Sequence, residues 1–397
     1  MPSDRTTVTE LGTGLGVLGL ESVDAALRSR TEVMHSLSPE MWERLERVRA
    51  GGVYDAEFHA AWANGQAFLT AEDGLRGRLP RVVEWKGTGR APGDEVAPID
   101  LRIDHVYLVS CKYLSNILFN VSPASIFDAL LFGGQARGGR SGREVLLGGD
   151  WYAEVAPDEY QALYESVRLA ALGAEERRKP PVPATREERA GRSSAMPALP
   201  GLGVVPEAAT PAWERPHGGV APSSLLHDLP PRAVDLTVPQ RDALAQWLRT
   251  GWPTGAKDLY TGLSSAVARA SARRWEAAMD TGPAAGEAML WRLLRIGSAP
   301  YFVLGSSTAR SLRLRIATSW DWRQQFQLAA LAIEPQPGGQ PRVGWEATVR
   351  DRVTRATHTV VGHIEVRWSH GRFGGLPEAK GYLDTSHHLV PGYFKLR

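Results

Sequence analysis

In the stretch PIDLRIDHVYLVSCKY, Asp100 and Lys112 are the residues whose types could do chemistry together. A carboxylate holds a hard cation such as Mg²⁺ through its oxygens. The cation lowers the pKa of a bound water and neutralises charge developing on a phosphate. A lysine on the neighbouring strand positions that water and adds positive charge beside the phosphorus. The pair is therefore the minimum set for a metal-dependent phosphodiesterase. Lys112 also stands out alone: it ends an apolar run beside Cys111, the only cysteine, and lysine is rarely buried unless paired. Only six of the 46 basic residues are lysines, and a compact ammonium can fill roles that the planar guanidinium cannot.

Two strands must carry the pair. Strand side chains alternate faces, so Ser110 and Lys112 point one way and Tyr107, Val109 and Cys111 the other. A two-residue turn at Asp104-His105 would pair Asp100 with Val109 and turn it away from Lys112. A three-residue connection or a bulge pairs Asp100 with Ser110 instead. Upstream, residues 20–50 read as helices, the second starting at Ser38-Pro39 as N-cap and first position. Residues 54–70 read as a further helix with Phe58, Ala61 and Trp62 on one face. RVVEW reads as a strand, SPASIFDALLF as a helix capped by Ser122, and 157–172 as another helix. This alternation argues an α/β fold.

Asp100 followed by Ser110-x-Lys112 resembles the PD-(D/E)xK nuclease superfamily, in the variant with serine where a second acid is usual. Pro98-Ile99-Asp100 looks like its Pro-Asp element with one residue inserted. Glu84-Trp85-Lys86-Gly87 before it, and Tyr113-Leu114-Ser115, Asn120 and Ser122-Pro123 after it, are similar to restriction-type members. The resemblance covers roughly residues 50–135. It implies a restriction-endonuclease-like mixed sheet flanked by helices. It also implies Mg²⁺ as cofactor, DNA as partner, and catalytic roles for Asp100, Lys112 and Ser110. An acid on the preceding helix often completes such a site, and Glu57 is the expected one, so Asp100 and Glu57 are the expected metal ligands. Ser115 and Asn120 are expected to contact nucleic acid. The implied protein is a DNA endonuclease of restriction or anti-phage defence type; the alternative is a non-catalytic nucleic-acid-binding or assembly protein on a decayed nuclease core.

Other matches carry less. Glu84-x-Lys86 and Glu378-x-Lys380 repeat the acid-x-lysine spacing. Gly14 to Gly19 matches G-x-G-x-x-G, but no strand leads into it and no βαβ unit follows, so a flexible N-terminal loop is expected. His363, Glu365, His370, Asp384, His387 and His388 gather near the end without ligand spacing. Arg367, Trp368, His370 and Arg372 could contact nucleic acid through phosphates and base stacking.

With 397 residues the chain is long enough for two or three cores. A net charge of +2 gives no overall electrostatic footprint for nucleic acid, though a local patch can hide in a balanced total. One cysteine excludes an internal disulfide and cysteine-rich zinc sites. No apolar run reaches the ~20 residues of a membrane span, and the N-terminus lacks a secretory pattern, so a soluble cytoplasmic protein is expected. The expected division is a nuclease-like α/β core at 1–174, a Pro/Arg-rich linker or insertion at 175–235, a helical segment at 236–299 and a strand-rich region at 300–397. A second copy of the chain or a defence-system protein is the expected protein partner.

Overall fold

The computed structural model describes residues 3–87, 99–113, 117–128, 149–178, 224–306, 311–336 and 338–397. The chain is an α/β protein with one mixed sheet and one antiparallel sheet. Its contacts divide it into two units: 1–151, 264–367 and 377–397 form the first, and 152–263 with 368–376 the second.

The first unit opens with helix α1 (Asp4–Gly16), capped by Ser3, whose hydroxyl accepts from Thr6 N. Helices α2 (Val23–Ser29), α3 (Pro39–Ala50) and α4 (Asp55–Thr70) follow, with the short strand β1 (Met34–His35) between α2 and α3. The expected cap at Ser38 is present and accepts from Met41 N. Two expectations are corrected here. The first of the helices read within 20–50 ends at Ser29, because Arg30 turns into the left-handed region at φ 39°. The glycine-rich stretch is not a loop: Gly14 and Gly16 lie in the buried last turn of α1.

Those glycines serve helix packing. A Cβ on Gly16 would lie 2.4 Å from the Trp62 carbonyl oxygen, and one on Gly65 would lie 2.2 Å from that of Thr13. Only backbone without side chains lets α1 and α4 approach this closely. Val8, Leu11 and Leu15 of α1 and Phe58 and Phe68 of α4 join one fully buried core.

That core lies against a seven-stranded sheet. Its remaining strands are β2 (Val83–Trp85), β3 (Leu101–Ile103), β4 (Tyr107–Lys112), β6 (Tyr301–Ser306), β7 (Ser311–Ile316) and β12 (Tyr393–Lys395). The order is β1-β2-β3-β4-β6-β7-β12, with β1 parallel to β2 and β4 parallel to β6. Val83, Leu101, Ile103, Val109, Cys111, Phe302 and Leu304 face the helices. A five-stranded sheet, ordered β5-β11-β10-β9-β8, is built from β5 (Ile117–Val121), β8 (Phe326–Gln336), β9 (Arg342–Asp351), β10 (Thr357–Trp368) and β11 (Pro377–Leu383).

Strand pairing therefore departs from the expected linear division. The region after 300 contributes β6, β7 and β12 to the sheet that holds β4, and β11 pairs with β5. Strand edges seek partners regardless of sequence distance, so a composition change along the chain is no guide to which strands share a sheet. Much of the expected linker, 179–223, lies outside the described residues; Ser224–His227 and Ala233–Asp235 are helical.

The second unit is helical, with Pro157–Arg178 and Val238–Trp247 among its elements. Tyr152, Tyr160, Trp252, Tyr260, Trp368 and Phe373 pack ring on ring within it.

Candidate active site

The β3–β4 connection decides whether Asp100 and Lys112 can meet. Ile103 pairs with Tyr107 and Leu101 with Val109, so three residues, Asp104 to Val106, make the turn. Asp104 and His105 both take positive φ, at 50° and 59°, and aspartate tolerates this region better than most residues. Its side chain also anchors the turn, accepting from Arg81 N and Val82 N at 2.7 and 3.1 Å. The longer connection places Asp100 opposite Ser110.

Asp100 sits just before β3, with its N–H bonded to Val109 O at 2.9 Å. Its Oδ2 accepts from Cys111 N at 2.6 Å and from the Ser110 hydroxyl at 3.4 Å. The carboxylate thus continues the ladder where β3 has not yet begun. Ser110 is fully buried and orients Asp100.

Lys112 follows at the end of β4, opposite Gly305 of β6. A Cβ on Gly305 would lie 1.9 Å from Lys112 O, so the two strands meet there only because that residue is glycine. Burial pulls the Lys112 ammonium below the usual lysine range; Asp100 opposes this and Arg295 adds to it. Cys111 faces the core as alternation requires, and burial pushes its thiol well up, with Asp100 and Glu10 adding to the shift.

Glu10 of α1 is an acid whose charge acts on both members of this pair. Its Oε2 accepts from the Trp85 indole at 2.6 Å. Burial, then the Asp100 carboxylate, push Glu10 up to about 7, against the Trp85 bond and the Lys112 charge. Glu57 does not take this part. It is buried but paired with Arg5 at 3.1 Å, and it is not among the charges that act on Glu10, Cys111 or Lys112. Glu10 was findable: Ser3 supplies an N-cap and Val8, Leu11 and Leu15 recur at helical spacing. The threonines and glycines between them hide the helix, because their propensity is low.

The Lys112 charge also acts on His387. Burial first, then His388 and Lys112, hold it down to about 4, so the ring is neutral at pH 7. Among the described residues no group of three or more His, Cys, Asp or Glu side chains converges as a metal cage. Glu10 and Asp100 nonetheless suit Mg²⁺, which takes few protein carboxylates and keeps water and phosphate oxygens in its other positions.

The remaining sequence candidates are dispersed. Glu84 is tied to Arg102 and His105 at 3.4 Å each. Glu378 accepts from Asn120 at 3.0 Å and pairs with Lys380 at 2.9 Å and Arg367 at 3.7 Å, all on the five-stranded sheet. Trp368 is only 6% exposed, inside the aromatic cluster of the second unit, so its ring is not free to stack on a base. Arg372 lies over the Trp252 ring at 4.8 Å and donates to Leu248 O, a packing role. His370 is exposed. Pro98 and Ser115 lie outside the described residues. His363 pairs with Asp384 at 2.8 Å. No helix among the described residues is long and apolar enough to cross a membrane.

The chain is an α/β protein with a mixed sheet, and at the ends of β3 and β4 the charges of Asp100, Lys112 and Glu10 act on one another. Comparison with protein-family models, curated proteins and solved structures returns no match.

Proposed function

We propose that the protein is a Mg²⁺-dependent DNA endonuclease, hydrolysing phosphodiester bonds in a restriction or anti-phage defence role, on a restriction-endonuclease-like core. The observation that supports this reading is the placement of Asp100 opposite Ser110, beside Lys112 at the end of β4, with the Glu10 charge acting on both. Two acids that disfavour each other's charge in a buried setting are what a divalent cation reconciles. Glu10 and Asp100 would hold it, and the bound cation supplies charge neutralisation at the phosphate and a water of lowered pKa. Ser110 and Cys111 N–H fix the Asp100 carboxylate, and Trp85 fixes that of Glu10. Lys112 presents its ammonium to the charge that develops on the phosphoryl oxygens, in a setting where such a charge counts for more than in water.

Plasmid DNA, with and without base modification, incubated with the protein and Mg²⁺ or EDTA, tests the reading. Nicking or linearisation that needs Mg²⁺ and is lost in Glu10→Gln, Asp100→Asn and Lys112→Met is the expected result. Cleavage retained in all three variants would overturn it. One observation favours a second reading, a DNA-binding protein on a decayed core: among the described residues only two carboxylates act on Lys112, and one already caps a strand N–H. DNA binding by wild type with every plasmid left intact supports that second reading.

A further inference from the structure

The five-stranded sheet ends at β8, and the hydrogen-bond pattern fixes which groups of that strand face outward. In an antiparallel pair, residues alternate between bonding to the partner strand and turning away from it. Val366 N donates to Pro341 O, just before β9, and Asp351 N donates to Ala356 O, so the odd-numbered residues of β9 bond to β10. Its even-numbered residues bond to β8, a pattern that Arg352 N continues by donating to Gln325 O. Leu328, Leu331 and Ile333 lie opposite Val349, Ala347 and Trp345. Their N–H and C=O groups therefore point away from the sheet, and among the described residues they bond to no other element.

Their side chains continue the core. Residues directly opposite share a face. Val343, Trp345, Ala347 and Val349 are buried, whereas Leu328, Leu331 and Ile333 are only half-buried. The apolar layer thus runs to the edge and stops partly uncovered. Edge strands are ordinarily guarded by charge, proline or a bulge, and here the guards flank the open stretch. Arg352 Nε donates to the Phe326 carbonyl at 3.0 Å, the bulge falls between Leu328 and Ala330, and Pro335 has no N–H. From Ala330 to Ile333 the strand is aliphatic and uncharged.

We propose that β8 pairs antiparallel with β8 of a second copy across a two-fold axis at Ala332, joining the two five-stranded sheets. The occupant follows from self-complementarity. With Ala332 on the axis, Leu331 of each copy meets Ile333 of the other, and the outward N–H and C=O groups of both are satisfied. Ala332 then meets its own copy in a non-hydrogen-bonded pair, where Cα atoms approach to about 4.5 Å, and its methyl group suits so close an approach. Glu334 meets Ala330, so no like charges stand directly opposite one another. Leu331 and Ile333 cover each other's half-buried side chains. This interface does not depend on the endonuclease reading.

Sedimentation velocity across a range of protein concentrations, with two kinds of variant, tests it. Wild type is expected to dimerise. Ala332→Lys sets two like charges across the axis and is expected to raise the dissociation constant roughly tenfold or more. That side chain is on the exposed face beside Glu346, so thermal melts of dilute protein should match wild type. Ala332→Cys places two thiols at disulfide distance across the axis, while the one native cysteine, Cys111, is buried. Mild oxidation is expected to give a covalent dimer on a non-reducing gel. Ala330→Cys, about 13 Å from its copy along the strands, should give far less. A dimer that Ala332→Lys leaves unchanged, or equal cross-linking at both positions, would overturn the inference. Wild type that stays monomeric would also overturn it and leave the edge to an extended segment of another protein.

Discussion

The indole of Trp85 and the carboxylate of Glu10, 75 residues apart, share a 2.6 Å hydrogen bond. It joins helix α1 to strand β2 at the edge of the candidate site. The bond holds Glu10 in place while burial and Asp100 keep it partly protonated near neutral pH. Glu10 therefore couples the folding of α1 to pH.

That coupling has a definite sign. A carboxyl near 7 when folded and near 4.5 when unfolded binds its proton more tightly in the folded state. Its contribution is fully present below pH 4.5 and is lost as pH rises through 7. Glu10→Gln should match wild type in acid and exceed it by up to about 3 kcal/mol at pH 8. Urea denaturation of both proteins across pH 4–8.5 measures the difference; a difference independent of pH would count against a buried, protonated Glu10.

Cation binding should take the Glu10 proton. Adding Mg²⁺ to unbuffered protein at pH 7 is expected to release up to about half a proton per chain, because a carboxyl near 7 is half protonated there. Glu10→Gln should release none. Equal release from both proteins, followed in a pH-stat, would place the metal elsewhere.

Asp100 has two roles that substitution can separate. Asp100→Asn keeps an oxygen for Cys111 N–H and loses the charge, so folding should survive and cleavage should not. Asp100→Ala leaves a buried N–H unsatisfied and should cost about 1–3 kcal/mol of stability. Thermal melts alongside single-turnover cleavage read both effects, and full cleavage by Asp100→Asn would remove the residue from the site.

Lys112 should show the opposite trade. Lys112→Met removes a partly desolvated charge and should leave stability equal or higher, while the cleavage rate falls about 10²–10³-fold. Lys112→Arg should also fail, because the longer guanidinium cannot occupy the point held by the ammonium. An active Lys112→Arg enzyme would make the lysine structural.

The α1–α4 contact should transmit damage to the site. Gly16→Ala and Gly65→Ala force a methyl against backbone and should cost about 1–3 kcal/mol. By shifting α1 they should also weaken the pH dependence assigned to Glu10. Loss of stability with that dependence intact would show that Glu10 is held by Trp85 alone.

Local patterns in the sequence determined much of the β3–β4 hairpin: β-branched runs, alternation, and the demand that Asp100 face Ser110 only across a three-residue turn. They also determined the Ser38 cap and the apolar face of α4, because these depend on neighbours within a few residues. Tertiary structure alone decided which helix acid is coupled to Asp100 and Lys112. Glu57 and Glu10 both lie on helices packed over the sheet, and nothing local distinguishes them. The glycine contacts at Gly16 and Gly65 set the α1–α4 approach, Arg5 pairs with Glu57, and Glu10 is left to meet Trp85 and Asp100. The Arg295 and His387 charges couple to Lys112 for the same reason. Strands β6 and β12, nearly 200 residues or more from β4, join the same sheet, and long-range strand pairing is set by which edges remain open rather than by any residue near Lys112.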